Sequence, residues 1–394
     1  MIPLPLDELR GLGRLDGDAE TVTGVQIDSR RVQHGDLFVA VLGGVVYLDD
    51  ARARGAAATL VPEDDFAALA AIGRAARSRI DARVVAITGS VGKTSTKDIL
   101  AALLRASGAD VVAAEDGYNN EVGLPLTLCH VEDHTDVVVT EMGMRGLGQI
   151  RALAEIARPH IGLITSIAPV HLELLGSIEN IARAKAELLE VAEIGIVPAD
   201  EPLLASYGAR TFDRPAPEIR DGRAIVDGVE FDFAARHQAQ NAAAALAVLD
   251  TLGYDRPRGV VEVTFSRWRS QETELPGGGL LINDAWNANP VAMRAALAHL
   301  RDCAAGRRTV AILGDMAELG AEAARFHEEI ARELGSVDVV IGVGELARGY
   351  GAAAWAATAD EAVALARELV QPGDAVLVKG SRSVGLEIVA EALA

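Results

Sequence analysis

The sequence predicts an α/β protein of three domains: a small N-terminal α/β domain, a central domain on a parallel sheet, and a C-terminal α/β domain. Three observations carry this. From Ile87 onward, apolar strands alternate with alanine-rich helical stretches, the order expected of parallel α/β layers. Hydrophobic residues make up 50% of the chain but aromatics only 4%, so the core must be built from Ala, Val, Leu and Ile, which suits helices packed on parallel strands. At roughly 100 to 200 residues per domain, a chain of 394 residues has room for two or three cores.

Taken in order, residues 1–80 form the first unit, with strands over Thr21 to Asp28 and Asp36 to Val41 and a helix near Leu48 to Gly55. The central unit, 81–262, opens with the strand Val84 to Thr88 and continues through strands at Val137 to Thr140 and Ile161 to Thr165. Its last helix is expected from Gln240 to Gly253, followed by the connection Asp255-Arg256-Pro257-Arg258-Gly259. The third unit, 263–394, has strands at Leu280 to Ile282, Thr309 to Leu313, Val337 to Val343 and Ala375 to Val378.

Charge and cysteines narrow the function. A formal charge of -20 argues against a nucleic-acid or anionic-membrane partner, which needs a broad basic face, while small anions held by local groups stay possible. Cys129 and Cys303 lie far apart without metal-ligand spacing, and the start MIPLPLDELRG has neither a basic nor an apolar signal region, so a cytoplasmic protein is expected.

Only four lysines, Lys93, Lys97, Lys185 and Lys379, stand against 33 arginines. Where a solvated positive charge suffices, arginine serves. A lysine among so many arginines marks a place for a compact ammonium, or for an amine that can lose its proton. Lys97 is expected on an exposed helix turn and receives no role.

Lys93 lies in Val84-Val85-Ala86-Ile87-Thr88-Gly89-Ser90-Val91-Gly92-Lys93-Thr94-Ser95-Thr96, a strand, a glycine turn and a helix start. In such a loop, backbone N–H groups and a helix N-terminus face an anion, the lysine reaches the outer phosphates, and the following hydroxyl can ligate Mg²⁺. The match to G-x-x-x-x-G-K-[ST] is incomplete, because the first glycine would fall at Ile87; the loop reads G-x-x-G-K-T instead. A structural turn is the alternative for Gly-Lys-Thr alone, and the flanking strand and helix favour nucleotide binding.

Glu141 follows the strand ending at Thr140, and His171 lies beyond the strand ending at Thr165, at the carboxyl ends where parallel sheets keep ligands. A carboxylate there suits a hard cation. Lys185 sits on a helix between small apolar residues, where a snorkelling surface lysine is equally consistent.

At this point the chain resembles the Mur ligase family of ATP-dependent amide ligases, over nearly its whole length. Thr88-Gly89-Ser90-Val91-Gly92-Lys93-Thr94-Ser95 is similar to that family's short phosphate loop, which accounts for the late glycine. Asn119 to Pro125, Glu141 to Gly146, Asn283 to Pro290, Leu313 to Gly320 and Val378 to Ser383 resemble the member adding D-alanyl-D-alanine to UDP-N-acetylmuramoyl-tripeptide. The resemblance implies a UDP-sugar-peptide-binding N-terminal domain, a P-loop ATPase centre, a Rossmann-like C-terminal domain, and a cytoplasmic monomer in peptidoglycan precursor synthesis.

It also implies residue roles. Gly89, Ser90, Val91, Gly92, Lys93, Thr94 and Ser95 would cradle ATP, with Asn120 beside the γ-phosphate, Asn241 on the adenine, and Arg269 and Asp284 closing on the nucleotide. Thr94, Glu141, His171 and Lys185 would serve two Mg²⁺ ions, Lys185 as a carbamate. Lys93, Lys185, His171 and Glu141 are the catalytic candidates. Ser29 and Arg30 would lie in the uridine-binding stretch, and Asn287, Asn289, Lys379, Ser381 and Arg382 would complete the substrate contacts, Lys379 toward the dipeptide or the nucleotide.

The departures are the compressed Gly43-Gly44-Val45-Val46-Tyr47-Leu48 loop, the short Asp200 to His237 segment, and Ser166, Trp286 and Ala292, where the family usually has asparagine, tyrosine and serine. These leave open a Mur-type ligase of altered substrate or a non-catalytic partner-binding relative. A switch GTPase is disfavoured, since no lysine sits in an [NT]-K-x-D motif, and the sister ligase adding the third residue would carry D-N-P-R, which is absent.

Overall fold

The computed structural model describes all 394 residues, and its architecture is the α/β arrangement expected, with parallel sheets. The N-terminal unit comprises β1 (Gly13–Asp16), β2 (Gly24–Gln26), β3 (Asp36–Val39), α1 (Leu48–Ala53), β4 (Ala58–Pro62) and α2 (Asp65–Arg77), its sheet ordered β1-β4-β3-β2. The strand expected over Thr21 to Asp28 is interrupted: Thr21–Val22 pairs with Leu4–Pro5, and only β2 joins the sheet. Helix α2 starts where the Asp64 carboxylate accepts the N–H groups of Phe66 and Ala67, an N-cap. It buries Leu69, Ile72 and Gly73 against the central unit, and a Cβ at Gly73 would come within 2.9 Å of Pro125. One apolar core therefore runs without a break from the first unit under the central sheet.

The central unit comprises β5 (Arg83–Thr88), α3 (Lys93–Ala106), β6 (Val111–Ala113), α4 (Gly123–Cys129), β7 (Val137–Glu141), α5 (Gln149–Ala157), β8 (Ile161–Ile164), α6 (Ile178–Val191), β9 (Ile194–Pro198) and β10 (Arg210–Phe212). All six strands are parallel, in the order β10-β9-β8-β5-β7-β6. Ile87 pairs with Glu141 on one side and Leu163 on the other, so the loops after β5, β7 and β8 leave from the same edge. That register places the phosphate loop, Glu141 and the segment containing His171 together.

A second small sheet, β11 (Glu218–Arg220), β12 (Arg223–Val226), β13 (Val229–Phe231) and β14 (Val260–Val261), was not expected; its strands are too short and mixed to show a period. Between β13 and β14 runs α7, Arg236–Leu252, four residues longer at its start than expected. Its buried alanines, Ala242 to Ala245, let it lie close on α3.

The C-terminal unit comprises β15 (Gln271–Leu275), β16 (Gly279–Asp284), α8 (Pro290–Ala304), β17 (Thr309–Gly314), α9 (Ala323–Glu333), β18 (Val339–Val343), β19 (Ala354–Ala356), α10 (Ala359–Leu369), β20 (Ala375–Lys379) and α11 (Glu387–Leu393). The order is β15-β16-β20-β17-β18-β19, parallel except for β15 at the edge. Four of the five β15 residues are exposed, so no apolar run announces that strand. It is an edge strand stabilised by its neighbour.

Candidate active site

A cavity of about 550 Å³ opens where the carboxyl ends of the central strands face those of the C-terminal sheet. Parallel sheets keep ligands at that end. Lys93, Lys185 and Lys379 all line it, and Lys97 does not.

One wall is the phosphate loop, which the segment after β8 holds in shape. The Val91 N–H donates to Ser166 Oγ at 2.9 Å, Thr165 Oγ1 donates to the Val91 carbonyl at 2.6 Å, and the Ala168 N–H donates to Ser90 Oγ at 2.9 Å. Gly92 has φ 86°, and a Cβ there would stand 2.3 Å from Asn241 Oδ1 on α7. Only glycine fits both the left-handed backbone and that contact.

The two amines behind the loop share one acceptor. Lys93 Nζ and Lys185 Nζ both donate to the Gly89 carbonyl, at 2.8 and 2.9 Å. Burial depresses the Lys93 ammonium, with Glu141 opposing; burial, then the Lys93 charge, pushes Lys185 well below the usual lysine range. Lys185 is 2% exposed, which discards the snorkelling alternative. Half-buried Lys93 and buried Lys185 share one carbonyl oxygen and donate to no carboxylate, so the site is short of negative charge, which a polyphosphate supplies.

Glu141 is buried and tethered at both oxygens, Oε2 accepting from Thr94 Oγ1 at 2.9 Å and Oε1 from Asn119 Nδ2 at 3.1 Å. Arg269 crosses from the C-terminal side and donates to the same Thr94 hydroxyl at 3.1 Å. His171 lies in the same cavity in the left-handed region, φ 54°, with Nδ1 against the Glu318 carboxylate. Burial favours its neutral imidazole; Glu318 opposes this, and both nearby lysines reinforce it. Hydroxyl, carboxylate and neutral imidazole gathered beside the phosphate loop fit a hard divalent cation.

On the facing wall, Lys379 is 2% exposed, donating to Asp284 Oδ2 at 2.6 Å and to the Asn287 carbonyl at 2.8 Å. Asp284 Oδ1 in turn accepts the Ser270 N–H at 3.2 Å. Asn287 and Asn289 line the cavity, but the Asn289 side chain caps α8, accepting from the Ala292 N–H at 3.0 Å.

Not every candidate lies at this site. Gly89 contributes its carbonyl from behind the lining, and Ser29 and Arg30 belong to a turn of the N-terminal unit capped by Asp28. Ser381 is buried, its Oγ accepting the Ala317 N–H, and Arg382 lies 4.7 Å over the Trp268 ring. Asn120 does line the cavity, and its Oδ1 accepts the Val122 and Gly123 N–H groups in the turn before α4, while the neighbouring Asn119 reaches Glu141. The doubled asparagine was the only sign of that role. Glu318 was also missed; it lies in the quoted Leu313 to Gly320 motif, with nothing local to tie it to a histidine 147 positions away.

The expectation for Lys97 is corrected. It is 4% exposed, paired with Asp98 at 2.9 Å, and donates to the Ala114 carbonyl at 2.8 Å and to Ser266 Oγ at 3.3 Å. The turn that would face solvent on an isolated α3 is covered by the chain entering the C-terminal unit.

Residues 87–249 match the family model described as the Mur ligase middle domain, and residues 268–382 match that described as Mur ligase, glutamate ligase domain. The UDP-N-acetylmuramoyl-tripeptide--D-alanyl-D-alanine ligase of Mycobacterium tuberculosis is 35% identical, the alignment covering 96% of this chain and 93% of that protein. The Escherichia coli protein of the same description is 30% identical, with 100% and 99% covered. Among solved structures, MurF from Acinetobacter baumannii superposes with a TM-score of 0.86 at 26% identity, covering 99% of this chain and 98% of that one. The MurF ligase of Thermotoga maritima in complex with ADP gives 0.82 at 26% identity, with 94% and 96% covered.

Proposed function

The chain belongs to the Mur ligase family, and from that premise we infer that it joins D-alanyl-D-alanine to UDP-N-acetylmuramoyl-tripeptide. It is an ATP-dependent ligase of peptidoglycan synthesis. The observation that carries the reading at the level of the site is the pair of amines, half-buried Lys93 and buried Lys185, on the Gly89 carbonyl in a cavity walled by two sheets.

In our reading the reaction passes through an acyl phosphate. The γ-phosphoryl group of ATP moves to the terminal carboxylate of the tripeptide with release of ADP. The dipeptide amine attacks the carbonyl, and the tetrahedral adduct expels inorganic phosphate. Lys93 and the loop N–H groups offset charge on the transferring group, and Arg269 brings a further cation from the C-terminal side. Thr94, Glu141 and His171 would hold Mg²⁺, which would supply electrostatic stabilisation of the phosphates. Lys185 would add CO₂ to its neutral amine and release a proton, becoming an anionic carbamate able to ligate a second ion; burial and the Lys93 charge favour that neutral amine. Lys379, Asp284 and Asn287 would position the incoming dipeptide, whereas closure of the two walls excludes water from the acyl phosphate.

We further take residues 1–80 as the unit binding the UDP-sugar end, with Ser29 and Arg30 at its contact, and 81–262 and 263–394 as the two catalytic domains of a cytoplasmic monomer. No helix is long and apolar enough to cross a membrane.

The test is phosphate release from ATP and Mg²⁺ with each peptide substrate alone and with both together. Release is expected only with both, and release independent of the dipeptide overturns the reading. For the carbamate, Lys185→Ala should be inactive and regain activity with added short carboxylates. Full activity of Lys185→Arg removes that role.

A further inference from the structure

We propose that Glu272, His299 and Cys303 form a zinc site on the C-terminal domain, distinct from the ATP cavity. His299 and Cys303 are four residues apart on α8 and so share one of its faces. Glu272 reaches them from the edge strand β15, so the three donors come from two elements that the tertiary fold alone brings together.

The geometry suits one ion. Glu272 Oε1 is 2.8 Å from His299 Nε2, Cys303 Sγ is 3.7 Å from the same nitrogen and 3.5 Å from Nδ1, and one ligand atom from each residue lies within 4.8 Å of the others. Zinc bonds of about 2.0 Å to nitrogen or oxygen and about 2.3 Å to sulfur, at tetrahedral angles, separate the donors by roughly 3.3 to 3.6 Å. The exposed Glu272 and half-buried Cys303 side chains are free to shift to that spacing, while His299, 3% exposed, is the fixed point.

Donor chemistry selects the metal. A thiolate, an imidazole and a carboxylate form a borderline set that Zn²⁺ accepts and Mg²⁺ does not. Three protein ligands leave a fourth position for water, and exposure of Glu272 supplies the entry path. None of the three residues lines the ATP cavity. His299 also packs edge-on against His237 of the central domain, at 5.8 Å between ring centroids, so an ion here would brace β15 and α8 beside the joint between the two domains.

Cobalt tests this in the full-length, metal-free protein. One equivalent of Co²⁺ should give a thiolate-to-cobalt charge-transfer band with tetrahedral visible bands, and one equivalent of Zn²⁺ should bleach both. Cobalt in the ATP cavity gives no thiolate band, because no cysteine lines it. Cys303→Ser should abolish the band, and Glu272→Gln should weaken cobalt binding by at least about tenfold. Both variants should keep the parental circular dichroism and the parental ligase rate. Absence of a thiolate band in the parent, or its persistence in Cys303→Ser, overturns the proposal.

Discussion

Lys185 carries an amine into a place where it finds one carbonyl and another ammonium, and no carboxylate. Its folded pKa lies well below the unfolded one, so its effect on stability has a definite sign. The unfolded chain binds the proton first as pH falls, so stability decreases from the ordinary lysine pKa down to the folded value and stays reduced below it. Lys185→Met should therefore melt above the parent at neutral pH in CO₂-free, metal-free buffer, and the gap should narrow as pH approaches 10.5. Calorimetry at the two pH values measures this; a lower melting temperature for the variant would mean that the charge is neutralised in the fold. The same variant should lose ligase activity by about 10²-fold or more, the scale of one preorganised electrostatic group. Cys129 shows burial acting on an acid: its thiol is 1% exposed and pushed up to about 12. A disulfide reagent should modify one thiol per native metal-free chain, Cys303, and a second only after unfolding. Two rapidly reacting thiols in the native protein would contradict the placement of Cys129.

At the scale of elements, function depends on how turns are closed. The phosphate loop is held from below by Thr165, Ser166 and Ala168, and from above by Asn241 against Gly92. Gly92→Ala adds a methyl group at 2.3 Å from that amide and forces φ 86° on a side chain. ATP affinity should fall at least tenfold, about 1.4 kcal/mol, with the overall fold retained; calorimetric titration with ATP measures it, and unchanged affinity would show that the loop can take another shape. Helix α8 has one side-chain cap, Asn289, whose neighbour Asn287 receives the Lys379 ammonium. Asn289→Ala should cost about 1 kcal/mol of stability and raise the KM for the dipeptide, read from denaturant melts and steady-state kinetics. An unchanged KM would confine Asn289 to capping.

At the scale of the molecule, the units are joined by polar ties that a single element cannot show. Lys97, Asp98 and Ser266 link α3 to the entry of the C-terminal unit, Glu318 meets His171, and Arg31 grips both oxygens of Glu115 at 2.8 and 2.9 Å. Arg31 holds the Glu115 carboxyl below the usual carboxylate range, although burial opposes this. Its contribution is therefore present above that range and lost as pH falls through the lowered folded value. Arg31→Ala should flatten the acid side of the stability curve while lowering neutral-pH stability by less than about 1 kcal/mol, since the pair is half-exposed. Thermal melts from neutral to acid pH measure this, and an unchanged acid limb would assign the loss to other carboxylates.

The sequence by itself determined what short-range chemistry can write: apolar strands, the Gly89 to Ser95 turn, and the carboxyl-end positions of Glu141 and His171 follow from local pattern. Its motifs also marked Lys185, Asp284 and Lys379, though not their contacts. Tertiary structure decided the rest. Lys97 looked exposed because a helix face has no partner until the chain returns at Ser266, and β15 was invisible because four of its five residues face water and only pairing with β16 makes them a strand. Asn119 joins Asn120 at the cavity because its side chain reaches Glu141, 22 positions away. Glu318 on His171, and Glu272 beside His299 and Cys303, join residues distant in sequence. Long-range contacts depend on how sheets and helices stack, and no local pattern in a single chain records that stacking.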